Sequence, residues 1–111
     1  MDQQQPKIKI KVKPLYYVGG HPFRVVLSNK LRDIGNDGRI TQDKQVIEIN
    51  PKSPESRLSG ALIHEFIHAV NCVYCNWRLS EDDVKNLSEG LNQIFSQMDV
   101  ELDWSMIKED K

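Results

Sequence analysis

The sequence predicts a single α+β domain in which a small, mostly antiparallel sheet is followed by two helices. Three observations carry this reading. The chain has 111 residues, the length of one domain. Its first half holds short alternating or β-branched runs separated by glycine-bearing turns. From Ser53 onward the apolar residues recur at the period of a helix. A hydrophobic content of 39% against 28% charged residues allows a small packed core and argues against wholesale disorder.

The elements follow in chain order. Residues 1–6 read as a polar tail. Lys7-Ile8-Lys9-Ile10-Lys11-Val12-Lys13 alternates strictly, as expected for a half-buried strand whose lysine face is solvated and discourages edge pairing. Gly19-Gly20-His21-Pro22 is a turn, and Phe23–Leu27 a second strand. After the turn at Asn36-Asp37-Gly38, Arg39–Gln42 and Gln45–Asn50 form a hairpin around Asp43-Lys44. Ser53-Pro54-Glu55 starts a helix, with serine as cap and proline in the first helical position. Leu58, Ala61, Leu62, Phe66, Ala69 and Val70 keep its period to about residue 71. Ser80-Glu81-Asp82-Asp83, close to a capping box, starts the second helix, whose apolar stripe is Val84, Leu87, Leu91, Ile94, Phe95 and Met98. A mixed, acidic segment closes the chain from Asp99 to Lys111.

Composition also bounds function. Lys plus Arg number 15 and Asp plus Glu 16, for a net charge of −1, so nucleic-acid binding driven by bulk charge is not expected. The apolar runs are too short for a membrane span, and Met1–Pro6 lacks the basic and apolar regions of a signal peptide, so a cytoplasmic location is expected. Two cysteines make no disulfide framework.

The chemistry lies on the first helix. His64-Glu65-Phe66-Ile67-His68 is an H-E-x-x-H motif in helical phase. Histidines at i and i+4 stack on one face, roughly 6 Å apart, and can converge on one zinc ion. Glu65 is rotated about 100° from His64 and reaches a water on the metal instead, acting as general base for attack on a carbonyl. Random placement of these residue types would give on the order of 0.005 such motifs in a chain of this composition. A hydrolytic zinc site needs a third protein ligand, and the candidates are Glu89, Asp83, Asp82, Glu81, Cys72, Cys75 and His21. The metzincin continuation is absent, with Asn71 at its glycine position and Tyr74 at its third histidine. Cys72 and Cys75 cannot join both histidines, since 11 residues of helix from His64 to Cys75 span roughly 16 Å.

Glu89-Gly90-Leu91-Asn92-Gln93-Ile94-Phe95 resembles the segment that carries the zinc glutamate of thermolysin-like gluzincins, E-A-I-S-D-I-F. The chain is similar to minimal, single-domain gluzincins and to small phage-type H-E-x-x-H proteins whose next helix reads L-x-E-G-L, loosely over residues 38–98 and well over 64–95. The resemblance implies a zincin-like fold, Zn²⁺ held by His64, His68 and Glu89, and Glu65 as general base. It likens the strand Gln45–Asn50 to the edge strand that binds substrate backbone, which makes Val46, Ile47, Glu48 and Ile49 substrate-binding. By the same resemblance the C-terminal segment could lie in the cleft with Trp104 as anchor and hold the protein latent; the other reading is a disordered or merely packed tail. Two departures bear on activity. Gln93 stands where the family has an aspartate, and no histidine follows His68 to serve the oxyanion, leaving Tyr74, Arg78, Tyr16 or Tyr17 for that role.

The expected function is therefore zinc-dependent hydrolysis of a protein or peptide substrate, weak or specialised, without nucleic-acid or membrane partners. The alternatives are a non-catalytic zinc-binding protein, because so small a domain often needs a metal to hold its fold, and a mobile-element regulator acting on one protein partner.

Overall fold

The computed structural model describes residues 7–31, 35–41 and 43–110; the polar tail 1–6, Gln42 of the hairpin and Lys111 lie outside the described residues. The fold is α+β. Its elements are β1 (Ile8–Lys11), β2 (Leu15–Val18), β3 (His21–Ser28), β4 (Gly38–Thr41), β5 (Val46–Ile49), α1 (Glu55–Tyr74), α2 (Glu81–Gln97), β6 (Val100–Asp103) and β7 (Glu109–Asp110).

The main sheet has the order β2-β3-β5-β4, with β7 added to the end of β3. Both hairpins are antiparallel. Gly19 and Gly20, at φ +57° and +82°, supply the left-handed turn that a two-residue hairpin between β2 and β3 demands. The hairpin expected around Asp43-Lys44 joins β4 to β5. The pairs of β3 with β5 and with β7 are parallel, as is the separate ladder of β1 with β6. Alternation alone does not foretell such pairings, because their partners are distant in sequence.

The core lies between the sheet and α1. Phe23 and Val25 of β3, Ile47 and Ile49 of β5, and Leu62 and Ala69 of α1 are buried together, joined by Val12 and Ile107. Phe66 packs edge-on against Tyr16, ring centroids 5.0 Å apart. α1 begins at Glu55 with Pro54 as its cap residue, and no side chain caps it. Ser53, expected in that role, instead donates its hydroxyl to Asp37 Oδ1 at 2.6 Å, tying the loop before β4 to the helix start.

Three expectations are corrected here. The strand Val46–Ile49 is not an edge: β5 is paired on both sides, and Ile47, Glu48 and Ile49 are buried, so its backbone has no free groups to offer a substrate. The edge strands of this sheet among the described residues are β2 and β4, of which β4 lies beside Glu65. β1 is exposed on both faces rather than half-buried, and its lysines do not deter pairing. They attract the acidic C-terminal segment, which pairs in a register that sets Lys9 beside Glu101 and Lys11 beside Asp103. That segment does not cross the cleft: after β6, Trp104 packs on the core and Ile107 is buried in it.

Candidate metal centre

The site is assembled by two helices and the turn that joins them. Asn71, buried near the end of α1, clamps that turn from within. Its side-chain amide donates to the Leu79 carbonyl at 3.1 Å and accepts from the Leu79 N–H at 3.0 Å. Asn76 and Trp77 adopt left-handed φ of 52° and 63°, which reverses the chain sharply. Ser80 then caps α2 in a full capping box: its hydroxyl accepts from the Asp83 N–H, and the Asp83 carboxylate accepts from the Ser80 N–H. This chain of constraints fixes Glu81, the first residue of α2, over the face of α1 that carries the motif histidines.

The three side chains meet. His64 Nε2 lies 3.2 Å from His68 Nε2 and 2.9 Å from Glu81 Oε1, and His68 Nε2 lies 3.3 Å from Glu81 Oε2. His64, His68 and Glu81 form the group that can hold a metal ion, with ligand atoms all within 4.8 Å of one another. The proton inventory shows why a cation fits. Ser88 Oγ donates its hydrogen to the Lys85 carbonyl at 2.9 Å. Toward His64 Nδ1, 3.3 Å away, it can therefore only accept, so Nδ1 carries the hydrogen and Nε2 of a neutral ring presents a lone pair. Burial lowers the His68 pKa, outweighing the opposing pull of Glu81, and this favours a neutral ring at His68. When both rings are neutral, at most one hydrogen, on His68 Nε2, serves three close contacts among lone-pair atoms. A shared cation satisfies all of them. The spacings also suit one, since ligands at about 2.0–2.1 Å in a tetrahedral site stand roughly 3.3 Å apart.

Glu89 is not brought into this group, and Glu81 takes the place expected for it. The antiparallel helices set Ser88 against His64 and Asn92 against Gly60, so the inward positions of α2 are 81, 85, 88 and 92. Glu89 is about 100° further round from Ser88 and lies on the exposed wall of the cleft. Of the other candidates, Asp83 is spent in the capping box, and His21 lies 3.4 Å from the Gln45 amide at the far end of β3. Cys72 and Cys75 are free thiols outside the group.

Glu65 sits on the buried stripe of α1, one turn from Leu62 and Ala69, and is only 6% exposed. Burial, reinforced by the negative charge of Glu81, pushes its pKa up from 4.5 to about 7. Gly38 of β4 makes room for it, since a Cβ there would meet Glu65 Oε2 at 3.1 Å and Ile49 Cδ1 at 3.2 Å. His64 and Glu65 open on a cleft of about 430 Å³ between α1, α2 and the loop leading into β4. The residues expected to serve an oxyanion do not line it: Tyr16 is packed on Phe66, and Tyr17, Tyr74 and Arg78 point to solvent. Lys85 and Arg57 are the cations on its walls. Lys85 and Ser88 escaped the sequence reading, although their spacing from Glu81, four and seven residues, places all three on one helix face.

Comparison of the chain with family models, curated proteins and solved structures returns no match.

Proposed function

We propose that this chain is a zinc-dependent peptidase, a reduced gluzincin-type domain in which His64, His68 and Glu81 hold the metal and Glu65 is the general base. The observation that carries the reading is the convergence of two imidazole lone pairs and one carboxylate beside a buried carboxyl group with a pKa of about 7, on the wall of a cleft. Two nitrogens and one oxygen, with no thiolate, are a donor set that suits zinc and leaves a fourth position open. Bound there, zinc supplies Lewis acidity, lowering the pKa of a water and polarising a carbonyl.

The protein's own groups do the rest. Glu65, poised near neutrality, takes a proton from the attacking water at a carboxylate oxygen and delivers it to the leaving amine. Ser88 holds the His64 ring and its tautomer. Lys85 places positive charge where an oxyanion develops, the role that no histidine after His68 is present to fill. The free edge of β4, which passes Glu65 at Gly38, offers backbone N–H and C=O groups to an extended peptide, so it replaces Val46–Ile49 as the substrate strand.

Zinc-loaded protein incubated with casein and with a mixed peptide library tests the reading. Glu65→Gln is expected to reduce cleavage by roughly 10²–10⁴ while one equivalent of zinc is retained. A wild type that binds zinc but cleaves neither substrate makes the site structural instead.

A further inference from the structure

The main sheet has a second face. α1 packs on the side of Phe23, Val25, Ile47 and Ile49, so the alternate residues Arg24 and Val26 of β3, Val46 and Glu48 of β5, and Arg39 of β4 point the other way. There they line a cavity of about 540 Å³ to which neither helix contributes a residue. Its walls carry five cations, Arg24, Lys30, Arg39, Lys44 and Lys108, and among the described residues one carboxylate, Glu48. A third of the chain's 15 Lys and Arg thus gather around one depression in a protein whose net charge is −1. Strand register explains the gathering. Arg24 pairs with Val46, Val26 with Glu48, and Glu48 with Arg39; extended by one residue, the ladder of β3 with β7 sets Lys108 beside Val26. With about 4.8 Å between strands and 6.6 Å between alternate residues, Arg24, Lys108 and Arg39 all start within about 10 Å of Val26.

We infer that this cavity binds a small molecule carrying two phosphate groups. Glu48 decides how much charge is left for a ligand. Its side chain is only 10% exposed, and Oε1 accepts from Arg39 Nε and Nη2, both at 2.9 Å. Arg39 is therefore engaged, whereas Arg24, Lys30, Lys44 and Lys108 have no carboxylate partner among the described residues. Four like charges around one depression repel one another, and a bound anion relieves that repulsion. Each phosphate group carries about −1.5 to −2 at pH 7, so two of them match the four cations, while one leaves about two uncompensated. The surroundings select a small ligand over a polymer. The volume is that of a small-molecule site. β3 and β5 are paired on both sides, so the floor offers no free backbone groups to an extended acidic peptide. No aromatic side chain lines the cavity, so the bases of a nucleic-acid strand have nothing to stack on. Val26 and Val46, half-buried between the cations, give the organic body of a phosphorylated compound an apolar seat.

Isothermal titration calorimetry of the full chain with inorganic pyrophosphate tests the inference, beside orthophosphate, tetraglutamate and a single-stranded DNA of about 12 nucleotides, all at about 150 mM salt. Pyrophosphate should bind one to one and at least about tenfold more tightly than orthophosphate. Arg24→Ser and Lys108→Ser, both at exposed positions, should each weaken it roughly tenfold with unchanged far-UV circular dichroism, because each removes a charge-assisted bond. Absence of pyrophosphate binding at millimolar concentration overturns the inference. So does binding that both variants leave unaltered, which places the anion elsewhere, such as at the metal centre. Tighter binding of tetraglutamate or of the DNA than of pyrophosphate overturns it in favour of an acidic peptide or a nucleic acid. The cavity lies across the sheet from His64 and Glu65, so none of these readouts depends on peptidase activity.

Discussion

A buried carboxyl group should make the metal-free protein measure its own pH. Glu65 titrates near 7 in the fold against 4.5 as a free side chain, because burial and the charge of Glu81 both oppose its ionisation. A folded pKa above the unfolded value means that protonation favours the fold. The benefit is complete below 4.5 and is lost as pH rises through 7. A shift of about 2.5 units at roughly 1.4 kcal/mol per unit sets an upper limit near 3 kcal/mol, and relaxation around the ionised group brings the expected value to about 2 kcal/mol. Glu65→Gln imitates the protonated form at every pH. In urea unfolding with EDTA present, the variant should match wild type at pH 4.5 and exceed it by about 2 kcal/mol at pH 8. Taking the difference between the two proteins cancels the titration of the histidines and surface acids that they share. Stability profiles that run parallel across this range would refute the placement of Glu65 in an apolar wall.

Two further predictions concern the ligands. Glu81→Ala should lose stoichiometric zinc by elemental analysis after dialysis, whereas Glu89→Ala should retain it; the opposite pattern restores the ligand that the family resemblance implies. Ser88→Ala removes the acceptor that fixes the His64 ring, and should weaken zinc binding by roughly 10–100-fold in a competition titration with a chelating dye, with His64 and His68 intact.

What the sequence disclosed, and what it withheld, follows from the range of the interactions. The H-E-x-x-H helix and the capping box at Ser80 are local: both depend on residues three or four apart, and both form as read. The turn at Gly19-Gly20 and the hairpin at Asp43-Lys44 are local too. The ladder of β1 with β6 joins residues some ninety positions apart, and the only trace of it in the sequence is the match of Lys9 and Lys11 to Glu101 and Asp103. That match has an electrostatic consequence: the Asp103 pKa is lowered, first by hydrogen bonds from Ser105 and then by Lys11 and Lys9. The parallel pairing of β3 with β5 carries no local mark, which is why β5 could be taken for an edge. Glu65 as a buried residue was within reach, because Leu62, Glu65 and Ala69 share the helical period of the core.

Glu81 stood among the candidate third ligands, and the family resemblance favoured Glu89 over it; the packing of α2 is what periodicity did not foretell. An amphipathic helix is expected to bury its apolar stripe, and on that assumption Glu81, Lys85 and Ser88 belong at the border of the solvent. The structure turns α2 by about a quarter of a revolution and packs this polar flank against α1. Burial of Leu87, Leu91 and Ile94 is forgone in exchange for a serine, a lysine and a glutamate beside two histidines. Local rules broken in this way, at one place and without a packing gain, mark functional sites. The same rotation separates the two surfaces of α2, since the apolar stripe centred on Leu91 points about 100° away from the inward line of Lys85, Ser88 and Asn92.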